Sequence, residues 1–363
     1  MKNLFLPLLL LLFCSGSLLA QDEANFSHYT VNPVLVNPAA SGLRGFHQLQ
    51  VNGRYQWSGI SDSPKSLNAL YNGPLGNKFG LGVGVLSENA GLLSRTKAMV
   101  NYSFFFDIKE DFFLSAGFST EFQQLRLRSS AIFADITNGN KYYDLNDPIA
   151  ENAVAGIGRF DVALSVMAGF GNPVIEGSHE RPTYLGVTFS NIVGNRLDNI
   201  AIVDVNKSSP FDYYMVLAGH KIKSSSSNVS IEPSVFLRRI KNAPFQADLN
   251  LNVGLLNDQF ITGISYRSLG ALGFLLGAKA ANIQFFYSFD LSLQEISSYA
   301  SGTGTHEVTF AIAFDPQKYG SKKYLIRQQI FAYKKGLYPN LDKGLFCINI
   351  FFKLNIIHIC NLA

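Results

Sequence analysis

His47-Gln48-Leu49-Gln50-Val51-Asn52-Gly53-Arg54-Tyr55-Gln56-Trp57-Ser58-Gly59 decides the fold. Leu49, Val51, Tyr55 and Trp57 share one parity, while Gln48, Gln50, Asn52, Arg54 and Gln56 take the other. Successive side chains of a strand point to opposite faces, so this stretch has one apolar face and one polar face rich in amides. Two environments accept such a strand. In a soluble sheet the apolar face meets a core and the amides meet water. In a membrane barrel the apolar face meets lipid and the amides line the lumen.

The same alternation recurs along the chain. Thr96, Ala98, Val100, Tyr102, Phe104, Phe106 and Ile108 alternate with Arg95, Lys97, Asn101, Ser103 and Asp107. Phe160, Val162, Leu164, Val166, Ala168 and Phe170 alternate with Asp161, Ala163, Ser165 and Gly169. Phe245 to Leu255 and Val308 to Phe314 repeat the pattern. Each run covers roughly ten residues, the length a tilted strand needs to cross a bilayer and more than a soluble strand averages. Further runs near 65–72, 78–86, 112–127, 183–191, 211–220, 228–238, 259–267, 271–279 and 282–293 bring the total to about fourteen strands, an even number that suits a closed bacterial barrel.

Composition decides between the two environments. Of the 363 residues, 47% are hydrophobic and only 15% charged, against roughly 25% charged in a typical globular domain. A soluble sandwich of this size needs more charge on its outer face. The sequence therefore predicts an all-β protein, a single outer-membrane antiparallel β-barrel of about fourteen strands with a polar lumen and long external loops. Gln48, Gln50 and Gln56 are expected in the lumen, and Tyr55 and Trp57 at the membrane interface.

The remaining segments fall around that barrel. Residues 1–20 read as a cleaved signal peptide. Lys2 supplies its charge, Leu4 to Phe13 its short apolar run and Ala20 its cleavage position. Cys14 sits in a box like that of lipoproteins, but the bulky Phe13 before it argues against lipidation. Residues 21–46 are read as a periplasmic N-terminal segment, 47–314 as the barrel and 315–363 as an atypical basic and apolar tail. That tail carries a net charge of +6, leaving −2 for the rest of the chain. Cysteine is absent from residues 21 to 346, so no disulfide framework is available there.

With the N-terminus in the periplasm, the short links fall on the periplasmic side, near 73–77, 109–111, 256–258 and 280–281. The longer ones, near 87–94, 129–157, 191–210 and 293–305, fall outside. The links near 171–182 and 221–227 are longer than a periplasmic turn usually is.

Little in the sequence suggests catalysis. Gly80-Leu81-Gly82-Val83-Gly84 lies within a strand and lacks the following helix that a dinucleotide loop requires. Its small residues leave room for other groups in the lumen. The histidines lack zinc-motif spacing, and no nucleophile elbow occurs. No enzyme activity, metal or cofactor is expected, and an exported membrane protein is not expected to meet nucleic acid. The charges Arg54, Arg95, Lys97, Asp107, Glu121 and Asp161 fall on lumen faces, where they must pair or meet water; they form either a structural polar lumen or a network that holds an N-terminal plug or a partner segment.

Three motifs together resemble a known family. Phe26-Ser27-His28-Tyr29, Asn37-Pro38-Ala39-Ala40-Ser41-Gly42 and Arg54-Tyr55-Gln56-Trp57 resemble the N-terminal signature of PorP/SprF proteins, the type IX secretion and gliding-motility membrane proteins of the Bacteroidetes. Gly80 to Gly84, Asn89-Ala90-Gly91 and the last strand from His306 to Phe310 continue the likeness. The family tends to end at its last strand, so residues 315–363 depart from it. They are either a periplasmic arm or an appended stretch of non-native reading frame, and their composition favours the second.

The resemblance implies an outer-membrane barrel that supports secretion or surface anchoring of cargo such as a gliding adhesin. Its expected partners are a secreted surface protein with a type IX C-terminal signal domain, the periplasmic ring lipoprotein with its associated components, and outer-membrane lipid. Asn37, Pro38, Ala39, Arg54, Gln56 and Trp57 are the motif residues and candidate contacts. Phe133, Tyr142 and Tyr143 are aromatic anchors in the longest external loop. A transport channel of porin or fatty-acid type is the alternative.

Overall fold

The computed structural model describes residues 26–127, 156–174, 178–193, 212–223, 228–241, 243–293 and 304–314. The chain divides into two compact units, Met1–Phe314 and Asp315–Ala363, and all described residues belong to the first. The tail, residues 1–25 and the loop with Phe133, Tyr142 and Tyr143 lie outside the described residues.

Strands β1 (His47–Tyr55), β2 (Lys65–Leu75), β3 (Phe79–Ala90), β4 (Leu93–Lys109) and β5 (Phe112–Leu127) form consecutive antiparallel pairs. They continue into β6 (Ile157–Phe170), β7 (Thr183–Phe189) and β8 (Tyr214–His220). After the two-residue β9 (Ile222–Lys223) come β10 (Ser230–Arg239), β11 (Gln246–Leu255), β12 (Phe260–Arg267), β13 (Ala271–Ala280), β14 (Ile283–Ser292) and β15 (Thr305–Phe314). The last strand pairs with the first, from His47 opposite Phe314 to Tyr55 opposite His306. Excluding β9, fourteen strands close into an antiparallel barrel.

The short β9 continues β8 in the same register against β10, with a gap between them. Pro233 stands opposite that gap. It has no N–H to donate, so the ladder is interrupted there.

Side-chain direction follows the parity read from the sequence. Leu49 is 45% exposed and Val51 42%, while Gln48, Gln50 and Asn52 between them are buried. On β11, Leu249 and Leu251 face out and Asp248, Asn250 and Asn252 face in. On β15, Val308 and Phe310 face out and Glu307 and Thr309 face in. An apolar outer wall around a polar inner one is the arrangement that lipid requires.

Three details differ from the sequence reading. Residues 87–94 form no long loop, because β3 and β4 run on to a two-residue turn at Gly91-Leu92, with Ala90 opposite Leu93. Strand β1 ends at Tyr55, so Gln56 and Trp57 lie beyond it. Trp57 adopts a left-handed φ of 50°, and its backbone N–H donates to Thr305 Oγ1 at 3.2 Å. Asp107 is not a buried lumen charge. Its side chain is 58% exposed and sits beside His179 of the β6–β7 link.

The main departure concerns residues 26–46. Read from the sequence as a segment ahead of the barrel, they lie inside it. Three 3-10 turns, His28–Thr30, Pro33–Leu35 and Pro38–Ala40, fold this stretch. The second and third share one design. Asn32 and Asn37 stand before a proline in extended conformation, and each side chain accepts the backbone N–H two residues on. Proline suits the first position of a helical turn, where no partner for its N–H is needed.

We call the rim where β1 begins and β15 ends proximal, and the opposite rim distal. The longest strands are β4 with 17 residues, β5 with 16 and β6 with 14. About ten residues suffice to span a membrane, so this wall is taller than a span requires. Its distal end carries the 128–155 connection.

Candidate functional site

The plug is held at three levels. Nearest the distal rim, charges on five strands form an alternating ladder. Arg54 of β1 pairs with Glu307 of β15 at 2.9 Å and with Asp290 of β14 at 2.9 Å. Arg267 of β12 pairs with Asp290 at 3.5 Å and with Asp248 of β11 at 3.3 Å. Ser27 sits at the centre of this ladder. Its backbone N–H donates to Glu307 at 2.7 Å, its hydroxyl donates to Asp290 at 3.0 Å, and Arg54 and Arg267 both donate to its oxygen. The His28 N–H donates to the other Glu307 oxygen at 3.1 Å. Buried charges are costly unless paired and fully hydrogen-bonded, and the plug supplies donors that the strands lack.

The neighbouring Tyr29 hydroxyl donates to Asp248 at 2.9 Å, and its ring stacks on Phe236 of β10 at 4.3 Å. At mid-depth Asn32 donates to Gln50 at 2.5 Å. The amide of the opening motif thus meets a plug amide.

The third level is the Asn37-Pro38-Ala39-Ala40-Ser41-Gly42 motif. Asn37 and Ala39 are 1% and 0% exposed. The Ala39 N–H donates to Ser165 Oγ of β6 at 2.9 Å, and its carbonyl accepts from Ser115 Oγ of β5 at 2.7 Å. The Ser41 carbonyl accepts from Ser103 of β4 at 2.6 Å. Glycines make this approach possible. A Cβ at Gly117 would collide with the Ala39 backbone, and one at Gly80 with the Ser41 carbonyl. Gly42 has φ +72°, and a Cβ there would come within 2.8 Å of the Gly73 carbonyl oxygen.

Apolar inward side chains complete the seat. Val34, Ala39, Ala40 and Leu43 pack against Leu70, Phe105, Phe113 and Met167, and Val31 packs against Ile261, Leu275 and Phe286. The lumen is therefore polar in its ladder and its amides, and apolar where the plug rests.

Of the motif residues, Asn37, Pro38, Ala39 and Arg54 meet in this plug and its seat, whereas Gln56 and Trp57 lie at the distal rim. Among the other expected lumen charges, Lys97 pairs with Glu121 at 3.1 Å, Arg95 with Glu88 at 3.8 Å and Arg159 with Asp161 at 2.8 Å. The sequence reading placed Ser27 and Glu307 in family motifs and Asp248 and Glu307 on inward parity, without assigning them a role, and it did not single out Arg267 or Asp290. The signal was present, since an ionisable residue on the inward parity of a barrel strand needs a partner.

At the proximal end the β6–β7 link meets the plug, where the His179 backbone N–H donates to the Leu43 carbonyl at 3.0 Å. Burial pushes the His179 imidazole below its ordinary pKa, against the pull of Asp107 at 3.2 Å. In the β11–β12 turn, burial alone would raise the Asp258 carboxyl. Hydrogen bonds from Lys221 and Ser230 outweigh it and hold the group below its usual range.

A barrel whose lumen holds its own N-terminal motif is the setting in which the family comparison falls. The model of the type IX secretion system membrane protein PorP/SprF matches residues 18–312. The chain belongs to the PorP/SprF family. It is thus a membrane β-barrel of type IX secretion, which places it in the outer membrane and implies association with secretion components and cargo. All three motif groups of this PorP/SprF chain fall inside the matched span.

No curated protein matches the sequence. Among solved structures, the barrel is similar to Acinetobacter baumannii Omp33, at 8% identity and a TM-score of 0.42 over 75% of this chain and 100% of that one. It is also similar to the Ralstonia pickettii toluene transporter TbuX, at 10% identity and a TM-score of 0.42 over 77% and 92%. A Pseudomonas aeruginosa FadL homologue gives 10% identity and a TM-score of 0.42 over 76% and 91%.

Proposed function

We propose that this barrel is a sealed, non-enzymatic scaffold that holds secreted type IX cargo of the gliding-adhesin type at the cell surface. One observation carries the reading: residues 26–46 lie inside the lumen and are hydrogen-bonded to or packed against its wall at three levels. A protein sealed in this way engages cargo with its rims and loops. The tall β4–β6 wall supports this, because β5 ends and β6 begins at its distal end, where the sequence carries the expected contacts Phe133, Tyr142 and Tyr143 between them. The proximal rim, with its short turns and both barrel ends, faces the periplasm in this orientation, as outer-membrane barrels favour. There it meets the ring lipoprotein and associated secretion components. The signal peptide is cleaved after Ala20. A porin or fatty-acid channel would instead need a lumen that opens.

The test is to replace residues 130–155 with a short turn. Shortening a loop has a small entropic effect, so the barrel still folds and remains heat-modifiable. Cargo carrying the type IX signal domain is then released into the medium. Cargo retained at the surface would contradict the reading. Cargo never exported would assign the protein to the export step itself.

A further inference from the structure

Beside the plug, on the β7–β14 side, a cavity of about 540 Å³ runs from the proximal rim into the barrel. That volume falls in the range of specific ligand sites. Its mouth lies among the links, at Lys223, Asn257 and Ala281. Inside, apolar groups such as Leu43, Phe46 and Ile261 alternate with the amides Asn252, Gln259 and Gln284.

The charges of this cavity are unevenly satisfied. It holds three carboxylates, and each has a partner. Glu180 pairs with Arg44 at 3.5 Å, Asp258 with Lys221 at 2.7 Å, and Glu232 accepts the Tyr184 hydroxyl at 2.9 Å. Three cations remain. Lys223 stands exposed at the mouth. Lys279 is half-buried, 5.8 Å from the Phe286 ring centre, with no carboxylate in ion-pair distance among the described residues. Arg181 is only 7% exposed. It donates to the Ser178 carbonyl and lies over Phe113, yet its Nε has no partner among the described residues. Buried guanidinium nitrogens of this kind also occur at Arg54 and Arg159, so at Arg181 it is the nitrogen together with the adjoining cavity that points to a missing acceptor.

The mouth is also built with strain. Leu256, Asn257 and Asp258 all have positive φ, between 52° and 63°. Such conformations persist only where surrounding contacts hold them, and they cluster at ligand clamps. Here the Lys221–Asp258 pair ties this turn to the segment after β8.

We infer that this cavity is a binding site for an acidic peptide segment, with carboxylates meeting Lys279 and Arg181 and apolar side chains lying against Phe46 and Ile261. A peptide suits the amide-lined walls better than a plain hydrocarbon chain, whose length would meet polar groups it cannot satisfy. The site is independent of which cargo the barrel holds.

The experiment uses the full chain purified in detergent micelles and a dye-labelled hexapeptide of alternating Asp and Leu, read by fluorescence anisotropy. Saturable binding that weakens with salt is expected. A Lys-Leu peptide of the same design does not bind. Losing one charge-assisted contact weakens binding about tenfold or more, so Lys279→Gln and Arg181→Gln each show that loss, while Lys97→Gln in the distal lumen does not. If Arg181→Gln fails to fold, Lys279→Gln decides alone. No saturable binding, equal binding of the Lys-Leu peptide, or unchanged binding by Lys279→Gln overturns the inference. Displacement by a dye-free fatty acid whose own affinity falls equally in Lys279→Gln also overturns it, reassigning the site to amphiphiles.

Discussion

Glu307 has an unusual number of obligations for one side chain. It accepts from two plug N–H groups, from Arg54 and from Asn52 at 2.8 Å, and it is fully buried. Removing one partner of a buried pair typically costs about 3–5 kcal/mol, because the other charge is left uncompensated. Glu307→Ala should therefore destabilise the barrel by about that much, and Glu307→Gln, which keeps an acceptor oxygen, by less. The temperature at which heat-modifiable mobility is lost in a gel reads the order. Equal midpoints for both variants would show that the ladder does not hold the plug. Parity in the sequence already put Glu307 and Arg54 on inward faces. It could not pair them, because Arg54 and Glu307 meet across a closure joining residues far apart in the chain. Nor could it place Ser27, a small polar residue with no periodic signature. Gly117 shows the same limit. Its inward parity is legible, but the backbone of Ala39 pressed against it is not. Gly117→Val should expel the plug from that level, measured as new protease cleavage within residues 26–46 while the barrel stays intact. Overpacking of this kind costs about 1–3 kcal/mol. An uncut N-terminal segment would contradict the packing.

At the scale of the element, the strands were the most legible part. Period-two alternation is long in each strand and is reinforced by lipid, which punishes any slip of register. Leu251 of β11 faces out at 39% exposure. An arginine there should cost about 2–4 kcal/mol at mid-membrane, seen as a lower yield of folded protein in lipid vesicles than with Leu251→Ala. Equal yields would mean that β11 has the opposite parity. The plug was the least legible element. Its 3-10 turns are too short for periodicity, and its Asn-Pro pairs mark irregular structure without saying what it packs against. The β6–β7 link gives the element scale a pH test. His179 has a folded pKa below its ordinary value of 6.5. The folded state thus favours the neutral ring, so its stability is complete above that value and declines as pH falls below it. Between about pH 7.5 and about pH 5 the wild type should lose thermal stability, and His179→Gln should lose less. Identical slopes would remove His179 as the cause.

For the whole molecule, closure and plugging are one structure. The first and last strands meet at Arg54 and Glu307, and the plug's first turn is bonded to both. A chain whose N-terminal motif occupies the interior of its own barrel obstructs a solute path, and this is why its function is sought at the rims. Composition made the barrel legible, since so few charges on so long a chain require lipid outside. The contents of the lumen were not legible, because a strand's inward face looks the same whether it meets water or a plug. The most direct measurement is the electrical conductance of the intact protein in a planar lipid bilayer. A sealed scaffold predicts insertion without steady current, and stable conductance only once residues 26–43 are deleted. Steady ohmic current through the intact protein would contradict it.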